Sequence, residues 1–114
     1  MMAAVIGSDE FDEWFQSLDE SDTDAVARVV DLLEMQGPTL PFPYSSAIKG
    51  SRLALRELRV QSRGRPLRVF YAFDPVRQAV LLLGGDKTGD DRFYETMVPQ
   101  AERIFARYLQ EFKP

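Results

Sequence analysis

Between residues 48 and 77 the chain carries eight basic side chains against two acids, Glu57 and Asp74. The bases are Lys49, Arg52, Arg56, Arg59, Arg63, Arg65, Arg68 and Arg77, and over the whole chain Arg outnumbers Lys eleven to three. A guanidinium is a planar fork that meets a phosphate with two parallel hydrogen bonds, whereas an ammonium is a compact point charge. A run dominated by Arg therefore points to phosphate recognition. Lys87 adds a further cation, and Tyr94 offers a ring on which a base could stack. The chain has no Cys and no His, which excludes thiolate nucleophiles, Cys/His zinc sites and His-based triads. What remains is chemistry by charge, such as displacement at a phosphate held among fixed cations. One preorganised donor to a developing oxyanion is worth about 2.7–4 kcal/mol, and Arg68 and Lys87 are the candidates for that role. Arg stays protonated and cannot be the base. Lys87, Glu57, Asp86 or groups of a macromolecular partner remain open for that step.

These side chains must be held by a few short elements. Three strand-like runs, 53–61, 66–74 and 79–85, are separated by turn compositions at Ser62-Arg63-Gly64-Arg65 and Pro75-Val76-Arg77-Gln78. Connections this short predict an antiparallel meander. In the second run Leu67, Val69, Tyr71 and Phe73 share one face, and Arg68, Phe70 and Ala72 share the other. Arg68 is thereby predicted mid-strand on the side away from the helices, where a charge is costly unless it meets a groove or a partner. Arg59 shares a face with Glu57. Arg63, Arg65 and Arg77 fall in or beside turns, where solvated surface or pairing to acidic helices competes with a binding role.

The segment GGDKTG at 84–89 lacks the spacing of a Walker A loop. Asp86-Lys87-Thr88-Gly89 is also not the phosphorylation loop of P-type ATPases, since Asp90-Asp91 follows it. It is expected to be a strand-to-helix turn whose glycines supply tight backbone geometry.

Upstream, Ala3–Ile6 reads as a short strand. Ser8 is an expected N-cap for a helix with Phe11, Trp14, Phe15 and Leu18 on one face. Ser21-Asp22-Thr23-Asp24 resembles a capping box for a second helix carrying Val26, Val29, Val30 and Leu33, which ends at Gly37-Pro38. Residues 37–50 read as an extended loop. Residues 90–112 have helical spacing, with a kink or restart expected at Pro99. Together these predict an α+β fold in β-α-α-β-β-β-α order, a small, mostly antiparallel sheet with helices packed on one face.

The chain has 114 residues and a formal charge of −4, which fits a single domain spanning 1–114. A negative total alone would argue against a nucleic-acid partner. The charge is segregated, however. Residues 1–47 hold ten acids and one base, Arg28, whereas residues 48–114 hold thirteen bases and eight acids. A partner within a Debye length of about 8 Å feels the local patch more than the total. Apolar runs such as Ala79–Leu83 fall far short of the ~20 residues needed to span a bilayer. A cytoplasmic protein with no membrane association is expected.

The runs LRELRVQ, RPLRVFYAFDP and AVLLLGGDKTGDDRFYE, within 55–95, precede an amphipathic C-terminal stretch. This pattern resembles the phage-derived, HigB-like branch of the RelE/ParE toxin superfamily. The resemblance implies the toxin of a type II toxin–antitoxin pair. Its expected activity is that of a metal-independent, ribosome-dependent mRNA endoribonuclease, or mRNA interferase, that inhibits translation without a cofactor. The implied partners are a helix-turn-helix, HigA-like antitoxin, the ribosome and mRNA, with operator DNA reached only through the antitoxin. Carried over by position, Arg68, Lys87 and Tyr94 are the catalytic candidates. Arg56 and Arg59 grip RNA, and Arg63 and Arg65 extend that basic surface. Some HigB toxins use a His near the C-terminus, which this chain lacks. The alternatives are a ParE-like inhibitor of DNA gyrase and an attenuated toxin that acts mainly by binding its antitoxin.

Overall fold

The computed structural model describes residues 2–113. Its centre is the expected meander of β3 (Arg56–Ser62), β4 (Arg65–Phe73) and β5 (Ala79–Asp86), paired antiparallel in sequence order. Arg63 and Gly64, with φ of 51° and 77°, turn β3 into β4. Positive φ at both central residues is what a tight hairpin of this twist requires. Two short strands complete the sheet. β1 (Val5–Gly7) lies parallel to β5, and β2 (Ser45–Ala47) lies antiparallel to β3, giving the order β1-β5-β4-β3-β2. The expected element order is therefore present with one addition. β2 falls inside the segment read as a loop, because three residues are too few to show a period.

α1 (Asp9–Gln16) and α2 (Glu20–Gln36) form as their apolar spacing dictates. Ser8 caps α1 as expected, accepting a hydrogen bond from the Phe11 amide at 3.0 Å. Its hydroxyl also donates to the Leu82 carbonyl at 2.8 Å, which ties the helix start to the sheet. The cap of α2 is Asp19 rather than Ser21: its carboxylate accepts from the Asp22 amide at 2.9 Å. The Ser-Asp-Thr-Asp motif thus sits inside the first turn of α2. α3 (Phe93–Glu111) continues through Pro99 without a restart. Glu95, whose carbonyl loses its helical partner there, and Pro99 are both exposed, so water can satisfy the freed carbonyl.

The helices divide between the two faces of the sheet. α1 and α2 share one face, where Val26, Val29 and Leu33 pack on Leu58, Val60, Leu67, Val69 and Tyr71. α3 crosses the opposite face, where Phe93, Ala101, Ile104 and Phe105 pack on Phe70, Ala72, Val80 and Leu82. β4 and β5 are consequently buried on both sides. Arg68 does point away from α1 and α2, but it lies on the face that α3 partly covers.

A β-bulge interrupts the middle of this central pair. Phe70 faces Leu83 but Tyr71 faces Leu81, so Leu82 is an extra residue on β5. Bulges of this kind re-aim side chains beside functional sites. Beyond the bulge, Gly84 meets the Trp14 ring and Gly85 lies under Phe93 and Met97. These two glycines are strand residues that allow close approach of side chains, not parts of the expected turn. The turn itself is Lys87–Gly89, with Gly89 at φ 66°.

Candidate phosphate-binding site

The strand register brings the chemistry together. Arg59 on β3 lies directly opposite Arg68 on β4, and Gly85 on β5 flanks Arg68 on its other side. Glu57, two residues before Arg59, shares their face. Tyr94 enters from the first turn of α3. Lys87 stands at the end of β5 with its ammonium 5.8 Å from the centre of the Tyr94 ring.

Glu57 is the hub of this cluster and is only 4% exposed. Its Oε1 accepts a hydrogen bond from the Tyr94 hydroxyl at 2.7 Å. Its Oε2 accepts from Ser46 at 2.8 Å and from Arg59 at 3.3 Å. The guanidinium of Arg68 approaches Oε1 at 3.6 Å, an ion pair but beyond hydrogen-bond length. Arg68 donates from Nη1 to the Leu67 carbonyl, while its Nε is buried with no hydrogen-bond partner among the described residues. Buried donors are almost always paired, and an unpaired one at a charged group is costly. A guanidinium held in this way is poised for an anionic acceptor.

Burial raises the pKa of Tyr94 above its usual value, the hydrogen bond to Glu57 adds to the rise, and Arg68 opposes it. The phenol therefore stays protonated at neutral pH and acts as a donor. A pocket of about 510 Å³ opens beside it, lined by Ala47, Ile48, Lys49, Glu57, Tyr94 and Val98 among others. Glu57 thus lines this pocket despite its burial. The described residues hold no group of three or more acids that could bind a metal ion.

Arg59, Arg68, Lys87 and Tyr94 converge, but the other expected residues do not. Arg56 points to the α2 side of β3, where its Nε donates to the Ser45 hydroxyl beside Tyr71. Arg63 pairs with Asp19 at 2.6 Å, and Arg65 bridges Asp22 and Asp86. Asp22 also accepts from Ser62 at 2.6 Å, and these bonds hold its carboxyl below the usual range. Arg63 and Arg65 thus clamp the start of α2 to the β3–β4 hairpin. Part of the charge segregation in the sequence is resolved by this internal pairing.

Glu57 and Ser46 complete the cluster although neither stood among the primary sequence candidates. Glu57 carried a signal, as one of only two acids in the basic window and on the same strand face as Arg59. Ser46 carried none, because its position depends on the pairing of β2.

Over residues 13–106 the chain matches the family described as Phage derived protein Gp49-like. The chain belongs to this family. Among curated relatives, it is 41% identical over 108 residues to a protein of Mycobacterium tuberculosis named "Putative toxin HigB3", covering 93% of each chain. It is 36% identical over 103 residues to "Putative toxin HigB2" of the same organism. That match covers 88% of this chain and 51% of HigB2, so the chain spans about half the length of that relative. No solved structure gives a significant match. These relatives agree with the HigB-like resemblance seen in the sequence. No helix among the described residues is long and apolar enough to cross a membrane.

Proposed function

We propose that this Gp49-like chain is the toxin of a type II toxin–antitoxin pair and cleaves mRNA on the ribosome. The observation that carries this is Arg68, a buried guanidinium with an unpartnered Nε beside Glu57 and Tyr94. Arg68 receives the scissile phosphate and neutralises the charge that builds on its non-bridging oxygens. Glu57 takes the proton of the attacking 2′-hydroxyl as the new 2′-O–P bond forms. The P–O5′ bond breaks, and Tyr94 or Lys87 supplies the proton that the leaving 5′-oxygen needs. The products are a 2′,3′-cyclic phosphate and a free 5′-hydroxyl.

These groups act only on a substrate presented in line. The ribosomal A site would supply that orientation, an effect that in well-aligned systems reaches about 7–11 kcal/mol. A HigA-like antitoxin is the corresponding inhibitor, expected to cover the basic site. The 41% identity to a relative named as a toxin supports the same assignment.

Induction of the chain in bacteria, followed by primer extension on abundant mRNAs, tests it. Discrete cuts within translated codons are expected, with growth arrest. Arg68→Lys keeps the charge but loses the fork, and should lower cleavage about 10²- to 10³-fold, the loss typical of one transition-state donor. Intact mRNA with an SOS response would instead identify a gyrase inhibitor.

A further inference from the structure

Arg28 is the one base among the first 47 residues, and it lies exposed on α2. The fold places it at a groove of about 590 Å³ that crosses the free edge of β3. This edge is open beyond Arg59, whose amide makes the last bond across it, to the Tyr44 carbonyl at 2.8 Å. The groove runs from Arg28 past Pro43 and Tyr44 to Arg59, Gln61 and Arg68. Among the described residues its lining holds three guanidinium groups and no carboxylate. Asp24 and Asp31 flank Arg28 along α2 but do not line the groove. Arg28 makes none of the ion pairs within 4.0 Å found among the described residues.

Two aromatic side chains border this path, and both are exposed, Phe42 at 67% and Tyr44 at 43%. The Arg59 guanidinium stands 5.1 Å above the Phe42 ring. Arg59 and Arg68 share the single carboxylate of Glu57, and Arg28 has no ion pair among the described residues, so the groove keeps an excess of positive charge beside exposed rings. Single-stranded nucleic acids use this combination: rings stack on bases while cations track the backbone. A folded acidic protein surface offers the charges but no flat bases to stack.

We propose that this groove seats the single-stranded RNA segment flanking the Arg68 site. Phe42 and Tyr44 stack its bases and Arg28 contacts a phosphate. The proposal rests on reading the Arg68 site as RNA-cleaving and extends it to a sequence-tolerant subsite outside the reacting centre.

Fluorescence anisotropy with the full chain and a labelled single-stranded RNA of roughly ten nucleotides, titrated at several salt concentrations, tests it. Arg28→Ala should reduce the slope of log K against log salt by about 0.7, one phosphate contact on a single strand. Phe42→Ala should weaken binding about five- to hundredfold, and Phe42→Trp should restore it. Arg103→Ala, an exposed position on α3 outside the groove, should match the parent.

Parental isotherms for both Arg28→Ala and Phe42→Ala, with Arg59→Ala impaired, would overturn the groove and leave the Arg68 site standing. Displacement of the RNA by poly-glutamate at equal charge concentration would reassign the groove to an acidic polypeptide. Absence of RNA binding by the parent at low salt would also overturn it, with primer extension then deciding the activity separately. Binding as expected with uncut mRNA in cells would sink the cleavage reading alone.

Discussion

The Tyr94 hydroxyl donates to Oε1 of Glu57 at 2.7 Å, the same oxygen that Arg68 approaches at 3.6 Å. One carboxylate oxygen is therefore shared by a neutral donor and a cation, one from a helix and one from a strand. This fixes the second oxygen toward Ser46 and Arg59 and holds the carboxylate in one orientation. Tyr94→Phe removes the bond but keeps the ring, its edge contact with Phe70 and the neighbouring Lys87. A hydrogen bond to a charged group contributes about 1.5–3 kcal/mol. Cleavage should fall about tenfold to a hundredfold while RNA affinity stays at the parental value. A fall in affinity with an unchanged cleavage rate would show that Tyr94 acts through its ring instead.

Glu57→Gln separates binding from chemistry. The amide oxygen can still accept from Tyr94 while the amide NH2 donates to the Ser46 hydroxyl, but the negative charge between Arg59 and Arg68 is gone. A phosphate should then bind as tightly or more tightly, because both guanidinium groups face it uncompensated. Cleavage should drop about 10²- to 10⁴-fold, the range for a lost general base. Single-turnover cleavage in a translating extract, measured beside RNA affinity, reads the two effects separately. A variant that cleaves like the parent would remove Glu57 from the chemistry and return the proton-accepting role to Lys87 or the ribosome.

Far from the site, Tyr108 on α3 donates to Oδ2 of Asp74 at 2.7 Å, at the β4–β5 turn. Burial first, then the hydrogen bond and charge of Asp74, push the phenol up from 10.0 to about 12. The unfolded chain therefore gives up this proton before the folded one as pH rises. The stabilisation is complete below pH 10 and is lost as pH climbs toward about 12. Asp74 keeps bonds from the Val76 and Gln78 amides and from the Gln78 side chain, so Tyr108→Phe should cost only about 1 kcal/mol at neutral pH. Urea unfolding at pH 7 and pH 11 should show the variant losing less stability between the two than the parent. Parallel losses would mean that this phenol does not couple folding to alkaline pH.

Much of the frame was legible in the chain itself. Turn residues at 62–65 and 75–78 fix the meander, and alternation along 67–73 fixes which residues share a face. Apolar spacing in α1 and α2, the Ser8 cap and the excess of Arg over Lys follow from local patterns in the same way. Arg68 was legible as a mid-strand charge, because period 2 leaves a strand residue no third side to occupy.

What local pattern does not encode is pairing. The sequence shows that Arg59 and Arg68 lie on strands, and only the β3–β4 register sets them opposite each other. It shows five neighbouring arginines, and only the fold directs Arg63 and Arg65 into ion pairs with Asp19, Asp22 and Asp86. α3 covers the second face because β4 and β5 are apolar on both sides, which leaves two faces to bury rather than one. Glu57 becomes a hub through Ser46, 11 positions away, and Tyr94, 37 positions away. Composition and periodicity determined that Arg carries most of the positive charge and where along the strands it falls. Tertiary structure decided which Arg remains available, because the cost of a buried charge depends on the partners that the fold brings beside it.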